Sequence, residues 1–413
     1  MRMQRHLAPT AAPVSVADLG RAILGLFQAQ RYRVRLEAEI KRYFGVKHVF
    51  LLSSGKAALT MILRVLAATS ARRKVIIPAY TCFSVPSAIM RAGCEVVLCD
   101  VDPRTMDFKF GQLEQLADRE TLCIVCPHLL GQAADIQQAQ AIAAPRGVAI
   151  VEDAAQAMGG KQNTRWLGTQ GDIGFFSLGR GKNLTAGSGG VIITNSDHLA
   201  DQLMTDYRDL PEQSLSGGIA NVLGVVAMKL LIHPQRYWLP AGLPFLGLGE
   251  TIFDREFPLH RLDGMRAGLL ATWQQRLEQS NEQRRRNSRL YLDQFQRDSE
   301  ALGPARDVHT AYLRFPVIMP TVEQKRELCA AANEQGLGVS PLYPTPISEI
   351  PELKASFAKE RFPGAEVLAE RLVTLPVHYY VDRSDIEDIC SALYAVVSRT
   401  SISAVRDRRT RTG

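Results

Sequence analysis

No stretch of the 413-residue chain is apolar for long enough to cross a membrane. The best candidate, Ile219 to Ile232, covers 14 residues with one lysine, against the roughly 20 that a spanning helix needs. Cysteine is scarce: seven residues (Cys82, Cys94, Cys99, Cys123, Cys126, Cys329, Cys390) stand mostly inside apolar, strand-like runs. Only Cys123 and Cys126 are close together, and no second pair follows at zinc-site spacing, so neither a disulfide framework nor a metal site is expected. The cysteines read as small buried groups of a reducing compartment. Excess positive charge is small as well. Residues 399–413 hold five arginines and one aspartate, a net +4 of the chain's +7, which leaves the body only +3. That excess is too small for a nucleic-acid-binding surface. The first residues contain no apolar core longer than AILGLF, so no signal peptide is expected and the cytoplasm is the expected location.

What is present is a globular composition, 46% hydrophobic and 22% charged, in a chain long enough for two domains. Residues 1–30 read as a loosely ordered segment and 31–285 as a large domain. Residues 286–398 read as a smaller C-terminal α+β domain, and 399–413 as a basic, disordered tail. Leu36 to Phe44 reads as a helix ending at Gly45. Strand-like runs then follow at VFLL (Val49–Leu52), KVIIP (Lys74–Pro78), EVVLCD (Glu95–Asp100), LCIVC (Leu122–Cys126) and VAIVED (Val148–Asp153). Helical stretches lie between them, a rhythm that predicts βαβ units around a mostly parallel sheet buried on both faces.

Such sheets place their sites at the C-terminal strand ends. Asp153 lies at one of these ends, and Ser53-Ser54-Gly55 at another, where a helix begins. That helix start is either an anion site or simply a good cap, and Asp153 either a site residue or a cap. The most suggestive stretch is Gly171 to Gly190, GDIGFFSLGRGKNLTAGSGG. Lys182 stands there on a loop of small residues between two apolar strands, either a cavity-facing amine or an ordinary solvated lysine. Residues 217–249 form an apolar insertion suited to a buried or subunit-interface segment, or to contact with a membrane surface. Met265 to Phe295 reads as one long helix whose Arg284–Arg286 cluster forms a solvated face.

Six segments in order resemble the DegT/StrS family of pyridoxal-phosphate sugar aminotransferases. They are SSGKAAL, PAYTC with AGCEVVLCDVDPRT, HLLGQAADI, VEDAAQAMGG, the Gly171–Gly190 loop, and RFPGAEVLAERLVTLPVH. The resemblance runs from about residue 35 to about residue 395. It implies the fold type I PLP-transferase architecture: a large three-layer αβα domain with a smaller α+β domain. It implies Lys182 as the Schiff-base lysine, Asp153 on the pyridine nitrogen, and Gln156 near the cofactor's phenolic oxygen. Ser54, Gly55, Lys56 and Ser177 would hold the phosphate, and Cys82 would face the ring. The implied reaction is ping-pong transfer of an amino group, from L-glutamate to a nucleotide-linked keto sugar, in a homodimer. Tyr80, His128, Tyr343 and His378 are the candidate sugar contacts.

Four positions depart from the family. Lys56 replaces a threonine, Cys82 an aromatic residue and Ser188 an acidic one, and HRLDGMR (His260–Arg266) stands where an Asn-Tyr-Arg run is usual. Lys182 argues against the family's dehydratase branch, which has histidine there. A regulator fused to a DNA-binding module is not expected either, because only a short stretch precedes the first strand. A cofactor binder without transaminase activity, and an enzyme acting on a lipid-linked substrate at the membrane surface, stay open as alternatives.

Overall fold

The computed structural model describes residues 5–243, 249, 251–295 and 309–410, with side chains described through Ser398. Two helices, α1 (Val16–Phe27) and α2 (Ala29–Phe44), precede β1 (His48–Leu52). Helices and strands then alternate through α3 (Gly55–Ala68), β2 (Lys74–Pro78), α4 (Ser84–Arg91) and β3 (Glu95–Cys99). The alternation continues with α5 (Phe110–Leu116), β4 (Thr121–Pro127), α6 (Ile136–Ala143) and β5 (Ala149–Asp153). Two further strands, β6 (Ile173–Ser177) and β7 (Gly190–Thr194), flank the lysine loop.

These strands make one seven-stranded sheet in the order β1-β7-β6-β5-β4-β2-β3, with β7 alone antiparallel to its neighbours. Val75 and Ile77 of β2 pack with α3 on one face, while Ile76 between them packs with α5 and α6 on the other. This two-sided burial is why the strands read as continuous apolar runs. The parallel arrangement brings Leu52, Pro78, Pro127, Asp153 and Ser177 to one edge. There the site assembles. Helix α3 is a firm support for it, since ten of its 14 residues are buried.

Beyond the sheet come α7 (Asp197–Asp209), α8 (Leu215–Leu231), α9 (Trp238–Ala241), α10 (Gly264–Leu269) and α11 (Trp273–Phe295). The last part holds β8 (Phe315–Ile318), α12 (Val322–Gln335), α13 (Pro363–Arg371), β9 (Leu372–Leu375) and α14 (Arg383–Thr410). Strands β8 and β9 pair antiparallel and share a core with α12 and α14. The expected division after residue 285 falls inside α11. Its Leu277 belongs to the large-sheet core, while Tyr291, Leu292 and Phe295 belong to the C-terminal core.

The N-terminal segment is not loose. Leu7, Ala8, Ala11, Ala12 and Val14 are buried, and α1 starts with a full capping box between Ser15 and Asp18. Helix α1 lies so close to α10 that a Cβ on Gly25 would sit 2.0 Å from the Gly264 carbonyl oxygen. Three cations also tie down the strap before α1, two of them buried and Lys229 half-buried. Arg284 donates to the Ala11 carbonyl, Arg276 to that of Pro13 and Lys229 to that of Val14. Arg284 is therefore wholly buried rather than part of a solvated face. Its place in the fold follows from phase: it falls seven residues from both Leu277 and Tyr291, on the inner side of α11.

Three other expectations change. Met265–Phe295 is two helices, broken at residues 270–272. The C-terminal stretch expected to be disordered continues α14 to Thr410. Most of α8 falls in the apolar insertion; its inner residues Val222 and Val225 are buried while Leu215, Ile219, Leu223 and Leu230 are exposed, and residues 244–248 of the insertion lie outside the described residues.

Candidate active site

The loop from Leu178 to Gly189 carries Lys182 and is fixed from several sides. The Leu178 N–H donates to the Gly189 carbonyl at 2.8 Å, and the Ala186 N–H returns to the Leu178 carbonyl at 3.0 Å. From α8, Asn221 donates to the Ala186 carbonyl at 3.1 Å. Thr10 of the N-terminal strap donates to the Gly181 carbonyl at 3.1 Å. Asn183, beside the lysine, donates to Asn281 Oδ1 of α11 at 3.0 Å. Lys182 is thus presented by a rigid loop, as a site residue must be.

Burial pushes the Lys182 ammonium below the ordinary lysine value. The positive charge of Arg314 adds to this, while Cys82 and Asp153 oppose it. Asp153 moves the other way. Burial raises its carboxyl above the ordinary value, against the Ala155 N–H bond and the Lys182 charge, which lower it. Its Oδ1 accepts from the Ala155 N–H at 3.0 Å. A lysine shifted toward neutrality thus lies within electrostatic reach of a carboxyl that has one hydrogen-bond donor. Paired, opposite shifts of this kind mark functional sites.

Around them, Gln156 accepts from the Leu130 N–H at 3.1 Å and donates to the Tyr343 hydroxyl at 2.8 Å. The Tyr80 hydroxyl accepts from the Tyr343 N–H at 3.1 Å and donates to the Tyr343 carbonyl at 3.3 Å. Burial raises both phenols above the ordinary tyrosine value. Tyr80 and Tyr343 thus form one buried, hydrogen-bonded pair joined to Gln156. Cys82 is half-buried, with Sγ 3.7 Å from Thr251 Oγ1.

At the other end of the lysine loop, Ser54 caps α3, accepting from the Ala57 N–H at 3.0 Å. A Cβ on Gly55 would lie 3.0 Å from Ser177 Cβ and 3.2 Å from Ser177 Oγ. Only glycine lets the helix start approach Ser177 this closely, and the result is a cradle of backbone N–H groups and hydroxyls. The Lys56 ammonium leans away toward residues 254–257. It pairs with Asp254 at 3.3 Å and lies 4.5 Å from the Phe257 ring centroid. Ser188 donates to the Ser53 carbonyl at 2.5 Å, which ties the lysine loop to this helix start.

A family model described as the DegT/DnrJ/EryC1/StrS aminotransferase family matches residues 24–228 and 250–394. The chain belongs to that family. It is 31% identical over 352 residues to a pleiotropic regulatory protein of Geobacillus stearothermophilus, covering 84% of each chain. It is 28% identical to a UDP-N-acetyl-3-dehydro-alpha-D-glucosamine 3-aminotransferase of Acidithiobacillus ferrooxidans, covering 83% of this chain and 82% of that one. In fold it matches Helicobacter pylori PseC, an aminotransferase of pseudoaminic acid biosynthesis, with a TM-score of 0.77 at 16% identity, covering 95% and 100% of the two chains. This aminotransferase thus has the PLP-transferase fold, and pyridoxal 5′-phosphate is its cofactor.

Two candidate sugar contacts of the aminotransferase are buried with their rings engaged. His128 is 1% exposed, and both its nitrogens are engaged. Nδ1 accepts from the Ala134 N–H at 3.1 Å, so the ring proton sits on Nε2, 2.8 Å from Glu152 Oε2. His378 is equally buried, with Nε2 2.7 Å from the Ala8 carbonyl and Nδ1 accepting from the Tyr380 N–H at 3.3 Å. Burial pushes it down to about 3. Neither ring has a nitrogen left for a ligand. Arg314, whose charge acts on Lys182, was not among the expected residues, although its sequence signal is plain: one arginine inside the apolar run YLRFPVIM.

Proposed function

We propose that this aminotransferase carries an amino group from an amino acid, L-glutamate, to a keto sugar attached to a nucleotide, in two half-reactions at one site. The observation that carries the reading is the lowered Lys182 ammonium beside the raised Asp153 carboxyl, at the strand edge where the Gly55–Ser177 cradle lies. Enzymes of this family named for nucleotide-sugar substrates, such as the 3-aminotransferase above and GDP-perosamine synthase of Vibrio cholerae, support the choice of acceptor.

The cradle suits a phosphate. Ser54, Ser177 and the first N–H groups of α3, those of Gly55 and Lys56, would hold it, with the Lys56 side chain committed to Asp254. Asp153 has an oxygen to offer a ring nitrogen, Gln156 and Cys82 stand as walls, and Lys182 is the amine for the aldehyde. When bound, the cofactor supplies an aldehyde carbon to receive the amino group and a ring that takes up electrons as a C–H bond breaks. Lys182 then serves as the base and acid at Nζ. A lysine whose ammonium is lowered by burial gives up its proton more readily than an ordinary one, which suits both roles. Tyr80, Tyr343 and the loop braces exclude water from this end of the site.

We further propose that the protein is a homodimer and that the exposed apolar side of α8 is covered within it, rather than by a membrane. The inner side of the same helix braces the lysine loop, so the interface would stiffen the site. No described helix is long and apolar enough to cross a membrane. Light scattering should give twice the chain mass, and flotation with lipid vesicles should leave the protein at the bottom; a vesicle-bound monomer would overturn this assignment. The amino-transfer reading is tested by loading the protein with pyridoxal phosphate, adding L-glutamate and measuring 2-oxoglutarate. One equivalent per site is expected without acceptor, and continuing turnover once a keto nucleotide-sugar is supplied. No product from any amino acid would identify a cofactor binder without this activity.

A further inference from the structure

Arg314 precedes β8 at the junction of the C-terminal unit and the lysine loop. Its guanidinium has one hydrogen bond among the described residues, from Nη1 to Ser340 Oγ at 3.2 Å. Its Nε is fully buried and has no partner. The groups that act on it electrostatically are Tyr343, Tyr80 and Cys82, and none of them is a carboxylate. Its charge in turn reaches the amine of Lys182.

Two buried arginines, Arg276 and Arg284, behave differently, while a third, Arg266, leaves its Nε without a partner but has the Asp263 carboxylate 3.1 Å away as counter-ion. Arg276 donates to the carbonyls of Pro13, Leu269 and Thr185, and stands 3.6 Å from Asp18. Arg284 donates to the carbonyls of Leu313 and Ala11. Both are structural cations with their donors occupied. Among the described residues no hydrogen bond is recorded from Arg314 Nε or Nη2, the side-on edge that matches a carboxylate in bidentate fashion. A shielded cation without a counter-ion is costly to the folded protein, which makes sense where an anion arrives from outside.

We propose that Arg314 is a substrate-positioning residue that takes a carboxylate of the substrate on its Nε–Nη2 edge and holds the reacting carbon against Lys182. The inference rests on the amino-acid donor proposed above. A donor's carboxylate is attached to the same carbon as its amino group, so its receptor must lie beside the lysine. An acidic substituent on the acceptor sugar would satisfy the same edge. Neutralising Arg314 also removes a positive charge acting on Lys182, so carboxylate binding favours the protonated amine just when a substrate proton has to be taken up.

The test uses the PLP-loaded enzyme, its Arg314→Gln and Arg314→Lys variants, L-glutamate, and the α-amide of L-glutamate, which lacks the α-carboxylate. Cofactor content and circular dichroism should be unchanged in both variants. The glutamine variant should lose at least about 100-fold in kcat/KM for the glutamate half-reaction, mostly through KM, with the lysine variant between. Its rate with the α-amide should match the parent's. Binding of glutarate, a dicarboxylate that cannot react, should weaken at least tenfold in the glutamine variant by calorimetry. A loss confined to the second half-reaction, and only with acidic acceptors, would place the carboxylate on the sugar and still support the assignment. Unchanged glutamate kinetics and glutarate binding, with acceptors equally unaffected, would overturn it. So would a variant whose only defect is weaker cofactor binding, which would make Arg314 a phosphate ligand. A parent enzyme that reacts with no amino acid would instead defeat the amino-donor reading itself.

Discussion

Glu152 and Asp153 are consecutive residues of one strand end, both buried carboxylates, and they have opposite fates. Because side chains alternate across a strand, they face different sides of the sheet. Glu152 accepts from the backbone N–H groups of Gly168, Gln170 and Gly171 and from His128. Burial pushes its carboxyl up, but the His128 bond and the Gly171 and Gly168 donors outweigh this, and it ends below the ordinary value. Asp153 accepts one N–H, and burial wins. A satisfied carboxylate holds the loop that leads into β6. An undersatisfied one is available to a ligand. The difference lies in the count of donors, not in depth of burial.

Each prediction presses on that contrast. Lys182→Ala should abolish amino transfer, a loss of about 10⁴-fold or more by stopped-flow absorbance, with the fold intact. Asp153→Asn should follow with a loss of about 100-fold or more while melting within a few degrees of the parent. If its main effect were on stability, the two carboxylates would not differ as described. Glu152→Gln should do the reverse. It leaves buried N–H donors and His128 poorly matched, so denaturant titration should show a loss of about 3 kcal/mol, with activity per folded molecule largely kept.

The pH dependence separates the pair again. Glu152 titrates lower in the folded protein than in the unfolded chain. Its contribution is therefore complete above the unfolded value of about 4.3 and is lost as pH falls through the lower folded value. Acid titration followed by circular dichroism should show this extra slope in the parent and its absence in Glu152→Gln. Asp153, titrating higher when folded, should make the cofactor-free protein slightly less stable as pH rises through its folded value, and Asp153→Asn should remove that loss. The smallest effect belongs to Lys56→Thr. Its pair with Asp254 is partly exposed, so the stability change should stay within about 1 kcal/mol. Phosphate-end binding should survive, because the helix backbone persists.

Much of the candidate site was legible because its residues lie at or just beyond strand ends. Ser54, Asp153, Ser177 and Lys182 each follow or end an apolar run, and the alternation of strands and helices brings those ends to one edge. The histidines were not legible. Nothing in HLLGQ or LPVH says that both ring nitrogens meet buried partners, and for His378 the partner is Ala8, 370 residues away in sequence. The N-terminal strap was missed for the same reason: its anchors are backbone carbonyls, which every residue type carries. Arg284 and Arg314 could have been caught, the first from its phase on a helix with apolar neighbours seven residues away, the second as a charge interrupting a strand-like run.

The most direct test of the account is the visible absorbance of the PLP-loaded enzyme as L-glutamate is added, beside Lys182→Ala and Asp153→Asn. The account predicts a lysine-dependent band that disappears with one equivalent of 2-oxoglutarate per site, is absent in the alanine variant, and disappears at least about 100-fold more slowly in the asparagine variant. A band that persists with every amino donor, or that forms equally well without Lys182, would contradict it.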